Sequence, residues 1–246
     1  MPICSTTTVG GVAVKVPGGA QILENLGIDY CCGGERSLAD ACLAAGVPVR
    51  DVLSSLEKAE QSTRASSKFF DWSSASLSQL VAYIIDKHHA FTRKELERLE
   101  PVVVRVRSAH VQNHPELLSI QELFGDLKDE LLPHMQKEEL VLFPYVNEID
   151  KAVTEGGVLR WPPFGRVLNP ISIMLAEHDK AGDTFRKMRE LSSNFFVPAD
   201  GCASYRELYA ALEALEADLH LHIHLENNLL FPRAINMEND VRQVSD

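Results

Sequence analysis

Apolar residues recur at helical spacing along most of the chain, and four stretches are long. Leu77, Leu80, Val81, Ile84 and Ile85 form a stripe that continues through His88, His89, Phe91 and Leu96 towards Pro101, as residues at i, i+3, i+4 and i+7 share one helix face. A second stripe, over 116–142, carries Leu123, Leu127, Leu131, His134, Glu138 and Val141. Pro133 lies inside it and predicts a kink, because its ring removes a backbone donor and crowds the preceding turn. The third stripe, over 170–194, carries Ile171, Met174, Leu175, His178 and Phe185; the fourth, over 204–230, carries Leu208, Leu212, Leu215, Leu219, His222 and Leu229. Short or moderate links join the first to the second and the third to the fourth. A longer Gly- and Pro-rich link, GGVLRWPPFG, joins the middle pair. That pattern predicts an up-down-up-down four-helix bundle.

Upstream the elements are shorter. Helices are expected over 20–26, 37–45 and 49–60, broken by Gly27, by Gly33-Gly34 and by Gly46 with Pro48. Residues 9–16 read as a short extended or irregular entry, interrupted by Gly10 and Gly11. Residues 61–76 have little periodicity and many small polar side chains. The expected fold is therefore all-α: a small helical domain over 1–65, a linker over 66–76 and the bundle over 77–238.

With 246 residues and 45% apolar content, the chain can bury a core without staples. A formal net charge of -11 argues against nucleic acid or an anionic membrane as partner. Five cysteines, an odd number in no repeating frame, argue against a secreted disulfide scaffold. The first residues lack a basic start followed by an unbroken apolar segment, and no later run is long enough to span a bilayer. A cytoplasmic protein is expected, monomer or dimer. Cys31 and Cys32 sit in DYCCGG, beside a glycine turn and a helix start. Adjacent cysteines form a disulfide only with strain. Two such thiols can hold a metal transiently, react with an electrophile or face a partner, while either can equally be a small buried hydrophobe. Cys4, Cys42 and Cys202 read as packing residues.

The chemistry-bearing pattern is a figure that occurs twice. Glu130, His134 and Glu138 fall four residues apart, as do Asp218, His222 and Glu226, and each Glu is followed five residues later by a Phe-Pro pair, Phe143-Pro144 and Phe231-Pro232. On helices, each set lines one face. A shared centre must lie at matching depth in all four helices. His89 and His134 are 45 residues apart and His178 and His222 are 44 apart, balanced about their turns. His110, 21 residues beyond His89, would be about 30 Å away along a continuous helix and is excluded; His114 and His220 fail on position or phase. His88 and His89 are harder to separate, and at 100° per residue the stripe centre falls nearer His88. Four imidazoles and two carboxylates from four helices suit a pair of carboxylate-bridged irons better than one tetrahedral zinc. Glu130 and Asp218, one turn before their histidines, are expected to accept the other imidazole N–H.

With these residues in place, the chain resembles the repair-of-iron-centres family, the hemerythrin-like di-iron proteins linked to nitric oxide stress. The resemblance covers nearly the full length. It rests on DYCCGG at 29–34, IIDKHHAFTRKEL at 84–96, HMQKEELVLFP at 134–144, PISIMLAEHDKAG at 170–182 and HIHLENNLLFPRA at 222–234. It implies the metal ligands His89, His134, Glu138, His178, His222 and Glu226, with His89 rather than His88. It also implies an oxo- and carboxylate-bridged pair of iron ions, nitric oxide or another diatomic as ligand, and iron-sulfur proteins as recipients. Cys31 and Cys32 would act in iron handover or nitrosyl transfer. The expected function is protection or repair of iron-sulfur clusters, by a metal-binding protein rather than a classical enzyme. The alternatives are a nitric oxide buffer and a nitric oxide or peroxide reductase; no flavin or nicotinamide motif is present to feed the latter.

Overall fold

A computed structural model describes residues 3–63 and 72–245. Helices account for all the long elements, and no strand occurs among the described residues. The expected linker lies, over 66–71, outside the described residues. The chain divides into two units, one drawn from 1–81, 146–160 and 220–246, the other from 82–145 and 161–219.

The first unit begins with α1 (Val9–Lys15), α2 (Gly19–Asn25), α3 (Leu38–Ala45) and α4 (Val49–Thr63). Val9, Val12 and Val16 pack with Leu23, Ile28, Tyr30, Leu38, Val52 and Leu56 as a small core. The extended or irregular entry expected over 9–16 is instead helical. Thr8 caps it, its hydroxyl accepting the Gly11 N–H at 3.2 Å, and the buried valines recur at helical spacing. Gly10 and Gly11 misdirected the expectation. Gly10 is needed for close approach: a Cβ there would sit 2.3 Å from Asn228 Oδ1. At α3, Ser37 and Asp40 form a reciprocal N-terminal cap and Gly46 closes the helix at φ 69°.

Four long helices follow; residues 77–81, 146–155 and 220–245 of them belong to the first unit and the rest to the second. The first runs from α5 (Leu77–Tyr83) through a π-helical turn (Ile84–His89) into α6 (Ala90–His110), passing Pro101. The second is α7 (Glu116–Lys137), a π-helical turn (Glu138–Leu142) and α8 (Phe143–Glu155); Pro133 lies inside α7 without ending it. The third is α9 (Leu168–Leu191). The fourth is α10 (Ala203–Leu225), a π-helical turn (Glu226–Leu230) and α11 (Phe231–Ser245). Side-chain pairs show the antiparallel course: His89 meets Glu139 while Glu100 meets Lys128, and His134 meets Glu177 while Glu130 meets Lys180.

The second and fourth helices outrun their expected ends at 142 and 230. Pro144 and Pro232 would each leave a carbonyl without its donor in a continuous α-helix. Instead the turn before each widens by one residue, and the N–H of Phe143 and of Phe231 reaches back five residues to the carbonyls of Glu138 and Glu226.

Candidate metal centre

In the second unit, side chains from three helices converge on Glu138. The His89 Nε2 and His134 Nε2 atoms each lie 3.3 Å from Glu138 Oε2, and His178 Nε2 lies 3.2 Å from His134 Nε2. Glu138 and His89 are 0% exposed. In the first unit, His222 and Glu226 repeat the arrangement within one helix turn, with His222 Nε2 3.0 Å from Glu226 Oε1 and Glu226 fully buried. Cβ bonds tilt towards the helix N-terminus, so a Glu one turn after a His leans back onto it. All three π-helical turns fall on these residues: one ends at His89, the others start at Glu138 and Glu226.

The same tilt corrects the expectation for Glu130 and Asp218. A carboxylate one turn before its His leans away from it. Glu130 pairs with Lys180, and Asp218 Oδ2 lies 3.1 Å from His88 Nδ1. The Nδ1 atoms are served from neighbouring helices: His89 Nδ1 by Glu139 at 2.7 Å and His134 Nδ1 by Glu177 at 2.8 Å. Periodicity within one helix could not reveal Glu139 and Glu177. Each is adjacent in sequence to Glu138 or His178, and so faces the next helix at about 100° round.

These outer carboxylates decide the electrostatics. Burial pushes the Glu139 carboxyl up, but hydrogen bonds from Arg93 and His89 outweigh it and hold the group below its ordinary range. Glu177 is likewise raised by burial and lowered further by Lys137 and His134. Both are therefore acceptors only near neutral pH, and the two imidazoles carry their proton on Nδ1. Their Nε2 lone pairs then face the oxygens of Glu138. Two imidazole lone pairs within 3.3 Å of one carboxylate oxygen, away from water, are reconciled by a cation or a shared proton.

The other histidines have different surroundings. His88 packs edge-on against Tyr83 and faces Asp218. It was the choice of simple periodicity, but the π-helical turn inserts one residue and rotates the following side chains by about 100°, bringing His89 to Glu138. His110 and His114 pack on Tyr205, and His114 Nε2 is 2.9 Å from Asp200. His220 meets Glu24 at 3.0 Å. His224 is buried against Tyr30, and burial holds it down to about 4.

Residues 80–162 and 164–245 match the family described as the hemerythrin HHE cation binding domain. The chain belongs to the hemerythrin HHE family. Residues 5–60 match ScdA_N, described as a domain of unknown function. Relatives that align with more than nine-tenths of the chain share a description. A probable iron-sulfur cluster repair protein of Haemophilus influenzae is 31% identical over 92% of this chain and 95% of its own length. The iron-sulfur cluster repair protein YtfE of Escherichia coli O157:H7 is 31% identical over 92% and 96%, and that of Pectobacterium atrosepticum 32% over 94% and 97%. The buried His and Glu residues of this HHE chain are a metal-competent group, and no helix among the described residues is long and apolar enough to cross a membrane.

The cysteines of the ScdA_N part are free. Cys31 is buried and Cys32 partly exposed, with their Sγ atoms 3.9 Å apart. The hydrogen bond to Cys32, burial and the nearby Asp29 hold the Cys31 thiol well above its usual range.

Proposed function

We propose that this chain is a hemerythrin-like di-iron protein that protects or repairs iron-sulfur clusters by donating iron and handling nitric oxide. Its ligands in this reading are His89, His134, Glu138, His178, His222 and Glu226. Glu138 carries the reading: a fully buried carboxylate 3.3 Å from two imidazoles whose other nitrogens are anchored on carboxylates. The repetition of the His-x3-Glu-x4-Phe-Pro figure extends it to His222 and Glu226. The HHE match over both halves, and relatives named as iron-sulfur cluster repair proteins, support the same reading.

Each residue has a task that its surroundings fit. Glu139 and Glu177 hold protons on Nδ1, so that Nε2 of His89 and His134 remains a donor. Glu138 and Glu226, each fully buried, would hold the cations and balance their charge. When bound, ferrous iron supplies an exchangeable cation with affinity for nitric oxide. Six ligand side chains for two ions leave coordination positions open, which favours lability and diatomic binding. Cys31 and Cys32 take part in handover to the recipient.

The test is metal content of anaerobically purified protein, with absorption spectra in air and after nitric oxide, followed by reactivation of a damaged iron-sulfur enzyme. Two irons per chain, spectral change with nitric oxide and reactivation lost in Cys31→Ser and Cys32→Ser support the proposal. Stoichiometric zinc, or no metal, overturns the centre. Tight nitric oxide binding with reactivation absent leaves a buffer in its place.

A further inference from the structure

The loop between α2 and α3 carries three side chains with ligand chemistry in addition to those of the bundle. Asp29, Cys31 and Cys32 each bring a ligand atom within 4.8 Å of the others. The two sulfurs are 3.9 Å apart, and Cys31 Sγ is 3.5 Å from Asp29 Oδ1. A tetrahedral ion with metal–sulfur bonds of about 2.3 Å and a metal–oxygen bond of about 2.1 Å has S···S edges of about 3.8 Å and S···O edges of about 3.6 Å. The Cys31–Cys32 and Cys31–Asp29 spacings match these edges, and the Cys32 sulfur lies within 4.8 Å of the carboxylate.

Its conformation is fixed from both sides. Asp29 Oδ1 accepts the N–H of Cys31 at 3.2 Å and of Cys32 at 3.0 Å, which sets the carboxylate over the thiols. The carbonyls of Tyr30 and Cys31 accept from Asn228 and Asn227, at 3.0 and 3.1 Å. Gly34 follows, and a Cβ there would sit 2.1 Å from Asn228 Oδ1. Three ligand groups of suitable spacing are thus preorganised, and the conformational penalty of gathering them is already met.

We infer that Asp29, Cys31 and Cys32 form a second cation site, for a thiophilic divalent ion of the ferrous or zinc kind, with a fourth position open. Cys31 is buried while Asp29 and Cys32 reach the surface, so the open position faces solvent, where a recipient's ligand can enter. Two sulfurs and one carboxylate select such ions over magnesium or calcium. Binding replaces the two thiol protons, released to solvent, by two metal–sulfur bonds, with no change of oxidation state. That the ion is iron in transit rests on the repair reading above; the existence of the site does not.

Cadmium(II) is the probe, titrated into reduced full-length protein and followed by thiolate-to-cadmium charge-transfer absorption, which imidazole and carboxylate ligands do not produce. One cadmium per chain is expected to saturate the band. The band is lost in Cys32→Ser and weakened in affinity at least about tenfold in Asp29→Asn, whose side-chain oxygen still accepts the two backbone N–H groups. It is unchanged when Cys4 and Cys202 are replaced by Ser. An unchanged band in His134→Ala/His178→Ala, with iron binding gone, supports the site and separates it from the centre in the bundle. No band in the wild-type protein, a band that survives Cys32→Ser, or wild-type affinity in Asp29→Asn overturns the inference.

Discussion

Replacing Glu138 by Gln separates a metal ligand from a structural carboxylate, because the two roles predict different signs. The side chain is 0% exposed and its Oε2 lies 3.3 Å from the Nε2 atoms of both His89 and His134. Gln keeps the volume and removes the charge. Without metal, holding a carboxylate in that setting costs on the order of several kcal/mol of desolvation, only partly offset by its neighbours, whereas the Gln amide can donate to an Nε2 lone pair for about 1 kcal/mol. The metal-free variant should therefore be more stable than the parent, by ~1–2 kcal/mol. With metal the sign reverses. A ligand present at 1,000 times its dissociation constant stabilises the folded state by about 4 kcal/mol, and an amide lacking charge and a second donor oxygen forfeits most of that. Thermal unfolding of chelator-treated and anaerobically iron-loaded samples reads both arms, at roughly 2–4 °C per kcal/mol for a chain of this size. An equal shift in the two forms, in either direction, would refute the assignment of Glu138 as a ligand.

Three further outcomes follow from the same contacts. Glu177→Gln removes the charged partner of His134 Nδ1 and should weaken metal affinity roughly 10–100-fold at unchanged helix content; a chelator competition that gives wild-type affinity rules this role out. Gly34→Ala places a Cβ 2.1 Å from Asn228 Oδ1, while Asn228 Nδ2 is held by the Tyr30 carbonyl and His224 Nδ1. It should destabilise by about 1–3 kcal/mol in denaturant titrations, and by less than half as much in an Asn228→Ala background; equal effects in both backgrounds would show that the clash lies elsewhere. Burial holds His224 down to about 4, against about 6.5 in the unfolded chain. Protonation in that window therefore favours the unfolded state, and the His224 contribution to metal-free stability falls with pH from about 6.5 to about 4 and levels off below. His224→Gln should flatten that slope, and a slope identical to the wild type would exclude His224 as its source.

Much of the site was legible because its units are local. His134 with Glu138 and His222 with Glu226 lie one turn apart on a single helix, and that relation holds wherever the helix sits. The bundle was legible for a related reason: stripes such as Leu208, Leu212, Leu215 and Leu219 repeat over enough turns to survive small errors of phase. Relations between helices were not legible. Glu139 and Glu177 find their histidines across an interface, and nothing along either helix marks them. Asp218 shows the converse, a carboxylate in the expected phase that leans away from His222 and whose Oδ2 lies 3.1 Å from His88 Nδ1. The helix of Val9–Lys15 was hidden by two glycines: the reason for Gly10 lies almost the whole chain away, at Asn228, and a Cβ at Gly11 would meet the capping Thr8 hydroxyl at 2.8 Å.

His88 and His89 show where counting residues and the backbone part company. Counting 100° per residue from Leu77 to Ile85 points to His88, and that count is sound for an uninterrupted α-helix. The π-helical turn Ile84–His89 adds one residue and so advances the answer by one. The other two such turns begin at Glu138 and Glu226, each followed by Phe-Pro, where a missing N–H makes the wider turn the cheaper solution. The Phe-Pro pair that looked like a helix end in the sequence is thus passed by a wider turn, and the helix continues beyond it. Three π-helical turns, each bounded by one of His89, Glu138 and Glu226, and none elsewhere among the described residues, is the pattern expected where side-chain direction matters more than regular backbone.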